Sequence, residues 1–492
     1  MENINSKYEP VIGLEIHAQM KTKSKAFCSC STDFHSSPNS NVCPVCLGYP
    51  GSLPVLNEKL VEYIIRMGIA TNCSIRDESI FARKNYFYPD LSKGYQISQF
   101  ETPICFNGFL NITPKGKETK RIGITRIHME EDAGKSIHDF HDDSSLIDFN
   151  RCGVPLIEIV SEPDINSTDE ASLYLQKIKQ TLIYLDINDG NMEEGSLRCD
   201  ANISLRIKGS DKLGTRTEIK NLNSFKNVAD AINAEIRRQS ALLDSGEKVM
   251  YHTMTYNAKD KTTSTTRTKE EAHDYRYFPE PDLVKVKVTE KNINEIKKSL
   301  PEFPDEKIKR FVSELHLPEL DAEELTQDKG IADFFEKTVS LLKVKNEKTF
   351  RISCNIVRAD VRRILNELKI GIAEFPVSEK AIAMLAESVN SGVLSATASR
   401  EVFNDLTSGK NEDEQIEIFN KSLIKYSQVS NTSEIEIIVK KIIEENPKEA
   451  ERYKIGEKKL AGFFVGKIMQ ESKGKANPKI VNELLIKNLE SG

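Results

Sequence analysis

The sequence has no run approaching the ~18 uninterrupted apolar residues of a membrane-spanning helix, so no membrane partner is expected. Its first residues, Met1-Glu2-Asn3-Ile4-Asn5, lack the basic stretch followed by apolar residues that marks an export signal. Cysteine is scarce, nine in 492 residues and an odd number, which excludes a disulfide scaffold and points to a reducing, cytoplasmic setting. Tryptophan is absent. There is no phosphate loop. The nearest stretch, Gly209-Ser210-Asp211-Lys212-Leu213-Gly214-Thr215, lacks the lysine after its second glycine. Neither a Rossmann glycine fingerprint nor a Gly/Ser-rich amidase run occurs, so a nucleotide, if used, must lie on a sheet face. A net charge of −6 excludes a protein that coats nucleic acid indiscriminately, and DNA is not an expected partner. A local basic patch docking one RNA stays possible.

What remains is an ordinary globular composition, 38% hydrophobic and 29% charged. At ~100–200 residues per domain the chain holds two to four domains. Up to about residue 295 strands mix with a few helices; beyond Pro301-Glu302-Phe303-Pro304 helices follow almost without interruption. A polar run at Leu406–Asp413 marks a second boundary. Ala171, Tyr174, Leu175, Ile178, Leu182 and Leu185 form one stripe of a helix over 168–186, with Ser167 and Glu170 in capping-box spacing. A second helix, over 224–244, ends before Gly246.

The strands carry the chemistry, because alternation sorts residues onto two faces. Ile12, Leu14, Ile16 and Ala18 oppose Glu15, His17 and Gln19. Leu197, Cys199, Ala201, Ile203 and Leu205 oppose Arg198, Asp200, Asn202 and Arg206. Arg216, Glu218 and Lys220 share a face, as do His128 and Glu130. The pattern predicts an α+β protein with helices under the apolar face of an antiparallel sheet. Its opposite face is rich in short carboxylates. Carboxylates on neighbouring strands repel, so convergence of Glu15, Glu130, Asp200 and Glu218 calls for a hard divalent cation, with Arg and Lys alongside for phosphate.

Cys28-Ser29-Cys30 and Cys43-Pro44-Val45-Cys46 form two close pairs around a twelve-residue, turn-rich loop. Four thiolates so paired close a tetrahedral zinc site and leave no open position for catalysis. His138-Asp139-Phe140-His141-Asp142-Asp143 reads as a polar surface loop.

Longer motifs go further. They include Val11–His17 (VIGLEIH), Leu47–Gly51 (LGYPG), Arg83–Asp90 (RKNYFYPD) and His128–Lys135 (HMEEDAGK). Pro155–Asp164 (PLIEIVSEPD), Met192–Arg206 (MEEGSLRCDANISLR), Glu218–Phe225 (EIKNLNSF) and Asp274–Asp282 (DYRYFPEPD) continue the series. Together they resemble the GatB/GatE family, which supplies the B subunit of the aspartyl/glutamyl-tRNA amidotransferase. Ala461–Gly466 and Ser472–Pro478 resemble its GatB/YqeY tail.

The resemblance implies a catalytic cradle domain over 1–295, similar to the glutamine synthetase and guanidino kinase fold, then helical domains over 296–407 and 408–492. It implies ATP- and Mg2+-dependent phosphorylation of the side-chain carboxylate of Glu or Asp misacylated on tRNA, then amidation by ammonia from a partner. A heterotrimer with the amidase (A) subunit plus a small (C) subunit follows. Glu15, His17 and Glu130 fall where the family holds Mg2+ and are the catalytic candidates, although imidazole is an unusual Mg2+ ligand. Lys84, Arg151, Glu158, Arg198, Asp200, Glu218 and Lys220 are candidates for ATP or substrate. The chain departs from the family at Ser353-Cys354-Asn355, where members commonly carry a tryptophan beside the Asn. The four cysteines occur in only some members, so zinc rests on spacing.

From Glu451 onward nine basic residues face five glutamates, a net of +4 that leaves the remainder at −10. This tail reads as an RNA-docking module, with Lys473, Lys475 and Lys479 before or at the start of a final helix whose N-terminus suits phosphate. Two other functions compete: a zinc-ribbon RNA-binding scaffold with a dead catalytic face, and a ligase acting on free glutamate. The basic tail speaks against the second.

Overall fold

The computed structural model describes residues 7–141, 144–268, 275–427, 432–472, 476 and 478–490. The chain forms two compact units, Met1–Pro301 and Glu302–Gly492.

The first unit is built on a twelve-stranded sheet. Its principal strands are β1 (Tyr8–Gln19), β2 (Ala82–Asn85), β3 (Tyr95–Ser98), β4 (Cys105–Ile112) and β5 (Lys120–Glu131). There follow β6 (Pro155–Ser161), β7 (Leu197–Ile207), β8 (Thr217–Leu222), β9 (His252–Asn257) and β10 (Thr262–Thr268). Their spatial order is β10-β9-β8-β7-β1-β6-β5-β3-β2, with β4 also pairing with β5. These neighbours run antiparallel, as the alternation predicts, with one parallel pair, β8 and β9. Helix α3 (Phe225–Asp244) lies between those two strands in the chain and reverses its direction, which is how a parallel pair is usually joined.

Alternation is realised residue by residue. Ile12, Leu14, Ile16 and Ala18 of β1 and Leu197, Cys199, Ala201 and Ile203 of β7 are fully buried. At roughly 1.5–3 kcal/mol per buried aliphatic side chain, this face sets the register. A one-residue slip would put these groups in water and the carboxylates into the core. Helices α1 (Glu58–Ala70), α2 (Thr168–Tyr184) and α3 cover it: α1 packs on β4 and β5, α2 on β4, and α3 on β7.

The capping follows the sequence with one difference. Ser167 Oγ accepts the Glu170 amide, but the Glu170 carboxylate accepts the Asn166 amide at 2.9 Å instead of that of the cap residue, and takes Lys120 Nζ at 2.7 Å. A buried carboxylate beside a lysine gains more from that charge-assisted bond than from closing the box. Ser224 caps α3, which ends at Ser245 before Gly246, whose φ of +80° favours glycine.

The second unit is helical and holds two apolar cores. Phe311, Phe335, Cys354, Ile382, Leu385, Phe403 and Phe419 belong to one. The helix Glu412–Tyr426 contributes Phe419 and packs on Glu379–Asn390 and Ala396–Leu406. Cys354, beside which the resemblance leads one to expect a tryptophan, is fully buried in this core. Ile435, Val439, Phe464, Ile468, Val481 and Leu485 form the other, between helices Thr432–Glu445, Ala461–Glu471 and Pro478–Glu490.

Candidate functional site: two acidic clusters on the sheet face

Strand register lays out the polar face. His128 on β5 lies opposite Glu158 on β6, Glu158 opposite His17 on β1, and His17 opposite Arg198 on β7. Two residues along β1, Glu15 faces Asp200, and two further on Asn202 of β7 faces Glu218 of β8. On the other side Glu130 faces Ser98 of β3.

The carboxylates expected to converge fall into two groups. Glu15, Asp200 and Glu218 each bring an oxygen within 4.8 Å of the others. His17, Glu130 and Glu158 do the same with one ligand atom each. Glu15, His17 and Glu130, taken together from the resemblance, are thus divided between two neighbouring groups. Glu158, an ATP or substrate candidate, lies between two imidazoles: His17 Nε2 is 3.4 Å and His128 Nε2 3.5 Å from the same carboxylate oxygen.

The two groups differ in charge. In the first, burial and then the charges of Glu158, Glu218 and Asp200 raise the pKa of Glu15. Lys220 lies 3.5 Å from Asp200 and 3.3 Å from Glu218, and Asn202 donates to Glu15 at 2.8 Å. The amide oxygen of Asn202 is buried and meets no donor among the described residues. In the second group cations prevail. Burial pushes Glu130 up, but Lys84 at 3.3 Å and His128 outweigh it and bring its pKa down to about 2. Burial likewise opposes ionisation of Glu158, but His128 and His17 hold its pKa well below the usual carboxylate range. Burial would lower the pKa of His17; its hydrogen bond to Glu158 wins and raises it. Lys84 remains strongly basic because Glu130 overcomes the cost of its burial.

The two arginines, Arg198 beside His17 on the same face, find their partners outside both groups. Arg198 pairs with Asp132 at 2.9 Å, and Arg151 donates to the carbonyls of Ala133, at 3.0 Å, and Gly134. Asp132 also accepts from Gln19 at 2.8 Å. His128 and Asp132 were not among the sequence candidates. His128 was legible from its shared face with Glu130. Asp132 was not, because it follows the end of β5, where alternation no longer says where a side chain points.

The four cysteines Cys28, Cys30, Cys43 and Cys46 converge, one sulfur from each within 4.8 Å of the others. The Cys43–Cys46 separation of 3.9 Å compares with ~3.8 Å between sulfurs placed tetrahedrally about zinc at 2.3 Å. A four-residue helix, Pro44–Leu47, turns Cys46 back onto Cys43 and is closed by Gly48 at φ +72°. The donor set and its spacing fit zinc. Lys473 and Lys475 lie outside the described residues, as does the side chain of Lys479, the second residue of helix Pro478–Glu490. The side chains of His138–Asp143 also lie outside them.

Comparison with known proteins now decides the family. Residues 10–294 match the GatB/GatE catalytic domain, and residues 333–489 match the GatB domain. The chain belongs to the GatB/GatE family. It is 51% identical over 483 residues to the aspartyl/glutamyl-tRNA(Asn/Gln) amidotransferase B subunit of Thermodesulfovibrio yellowstonii, covering 98% of this chain and 99% of that protein. The proteins of the same name from Caldanaerobacter subterraneus subsp. tengcongensis and Geotalea uraniireducens are each 51% identical, over 484 and 487 residues, again covering 98% of this chain and 99% of each.

Proposed function

We propose that this chain is the B subunit of a tRNA-dependent amidotransferase and that the sheet face activates the side-chain carboxylate of Glu-tRNA(Gln), Asp-tRNA(Asn) or both. The relatives' shared name and near-complete coverage support the assembly and the reaction class, a ligase of protein biosynthesis. A carboxylate is a poor acceptor for ammonia until one oxygen becomes a phosphate leaving group. The substrate oxygen attacks the γ-phosphorus of ATP and ADP departs. Ammonia then adds to the acyl carbon and expels phosphate, leaving the amide. Phosphoryl transfer depends chiefly on alignment and charge neutralisation.

The observation that carries this reading is the gathering of Glu15, Asp200 and Glu218 from three adjacent strands, with Lys220 as their cation and a buried Asn202 oxygen awaiting a donor or metal. An all-oxygen set of this kind fits Mg2+, which when bound would neutralise phosphate oxygens. His17, Glu130 and Glu158 form the adjoining set, better suited through its imidazole to a softer ion or to contact through water. Lys84 and Lys220 are the residues assigned to phosphate or substrate carboxylate. Arg198 and Arg151 act through Asp132 and the β5 terminus. Glutamine hydrolysis is assigned to the amidase partner in a heterotrimer with a small third subunit, in the cytoplasm. Among the described residues no helix is long and apolar enough to cross a membrane. Residues 1–295 are assigned to catalysis and 296–407 to a helical domain; within 408–492, the expected docking tail, the helix Glu412–Tyr426 packs into the earlier core, and tRNA docking is assigned to the helices from Thr432 onward.

The test is ATP turnover by the reconstituted complex. It should require misacylated tRNA, and Glu15→Gln or Asp200→Asn should abolish it while glutamine hydrolysis by the partner continues. Full turnover in both variants refutes the metal assignment; tRNA binding without any turnover favours the scaffold function.

A further inference from the structure

Outside the acidic clusters, a dense set of hydrogen bonds joins the cysteine loop to residues 147–153 in a seam. Asn39 donates its amide to the Asp148 carboxylate at 2.9 Å and its side-chain NH2 to the Ile147 carbonyl at 3.0 Å, and accepts the Phe149 amide at 2.8 Å. Asn39 adopts φ +58°, a left-handed conformation that Asn tolerates better than most residues. Asn150 accepts the Asn41 amide at 2.8 Å and donates to the Ser37 carbonyl at 2.7 Å. The Ala26 amide donates to the Gly153 carbonyl at 2.8 Å, and the Cys152 thiol to the Cys46 carbonyl at 3.4 Å.

At the centre of this seam sits Lys25, whose side chain is fully buried. Its Nζ lies 3.6 Å from Cys46 Sγ and donates to the Phe149 carbonyl at 3.3 Å. Among the described residues no carboxylate forms an ion pair with it. A lysine with no exposed surface needs a compensating negative charge, since an unpaired buried ion is among the costliest groups a fold can hold. Four thiolates around one Zn2+ leave a net charge of −2, which supplies that charge beside the ammonium.

The seam ends at the catalytic face. Arg151, inside it, donates to the carbonyls of Ala133 and Gly134, and the Gly153 amide donates to the Asp132 carbonyl at 2.9 Å. Asp132 in turn holds Arg198 and Gln19, residues of the two central strands.

We infer that Lys25 is a positioning residue: it balances the charge of the zinc-bound thiolates and, through Phe149, ties the metal lobe to the Arg151–Asp132–Arg198 chain that orders one end of the catalytic face. The lobe then acts on catalysis by holding that face in shape, not by touching substrate. The effect on turnover rests on the amidotransferase function proposed above; the structural coupling does not.

The experiment separates the two. Zinc loss from the full-length protein to a chromogenic chelator is followed for wild type and Lys25→Met, and should be ~10–100-fold faster in the variant, the usual size for a lost partner outside the ligand shell. Lys25→Arg, which keeps the charge, should recover part of the difference and serves if Lys25→Met does not fold. Hydrogen exchange of the chelated protein should rise at residues 130–134 and 147–153 while α3 stays protected. Asn150→Ala, which cuts the seam at Asn41 and Ser37 and leaves Lys25 and the four cysteines in place, should keep wild-type zinc retention yet lower kcat several-fold at unchanged KM for tRNA. Equal zinc-loss rates in all three Lys25 forms would overturn the charge-balancing role. Unchanged exchange at 130–134 on chelation would overturn the coupling, whatever the enzyme's activity proves to be.

Discussion

Glu158 shows how much one side chain can set on this face. It lies between His17 and His128, and it alone carries the hydrogen bond that raises the pKa of His17 against burial. Glu158→Gln removes that charge and leaves desolvation as the largest influence, so the His17 pKa should fall below the ordinary ~6.5. Histidine-selective NMR titration of the variant checks this; a His17 pKa that stays raised would show that other carboxylates, Asp200 first, hold the proton. Tyr174 offers the opposite case. Its ring is fully buried under the sheet, and its hydroxyl meets no hydrogen-bond partner among the described residues. An unsatisfied buried hydroxyl costs about 1–3 kcal/mol, so Tyr174→Phe should leave stability unchanged or raise it. A lower denaturation midpoint would contradict this.

Between elements, polar groups do as much as apolar ones. Glu235 of α3, with its side chain fully buried, accepts from Thr217 of β8 at 2.7 Å, from Thr263 of β10 at 2.9 Å, and from Arg238 and Gln239 on its own helix. Burial raises its pKa, but these donors, Arg238 first, win and lower it. A depressed carboxylate pKa contributes stability that is present above the unfolded value of ~4.3 and is lost as pH falls through the folded value. Glu235→Gln should therefore cost roughly 1.5–3 kcal/mol near neutral pH, and the gap from wild type should narrow in acid denaturation below that unfolded value. A constant gap across that range would refute the assignment. Helix α1 is sterically constrained in a different way. A Cβ on Gly68 would stand 2.4 Å from Cys105 Sγ of β4, so Gly68→Ala should destabilise by about 1–3 kcal/mol through overpacking. Adding Cys105→Ala, which removes the opposing sulfur, should recover part of the loss in a double-mutant cycle.

Over the whole chain, charge and core are distributed unevenly. The residues from Glu451 onward carry +4 in a molecule of −6, and the helices from Thr432 to Glu490 close their own core. Phe419, by contrast, belongs to the earlier helical core, so a truncation meant to remove only the tail should begin after Ser427. Such a variant should keep the thermal transition of the rest of the chain and lose tRNA affinity. Unchanged affinity in a filter-binding or fluorescence titration would remove the docking role of the tail.

Much of this was readable before any coordinates. A period of two in Val11–Gln19 and Leu197–Ile207 names the buried and polar faces, because a strand has no other way to alternate its side chains. Two close cysteine pairs announce a four-sulfur site, since the ligands lie close in the chain. The grouping of the acids was not readable. Glu15 keeps company with Asp200 and Glu218, not Glu130, because β7 and β8 lie on one side of β1, whereas β6 and β5 lie on the other. The service of Lys25, Arg151 and Asp132 was equally hidden. Each acts across a loop, where partners are chosen by three-dimensional proximity and no periodicity in the chain reports it.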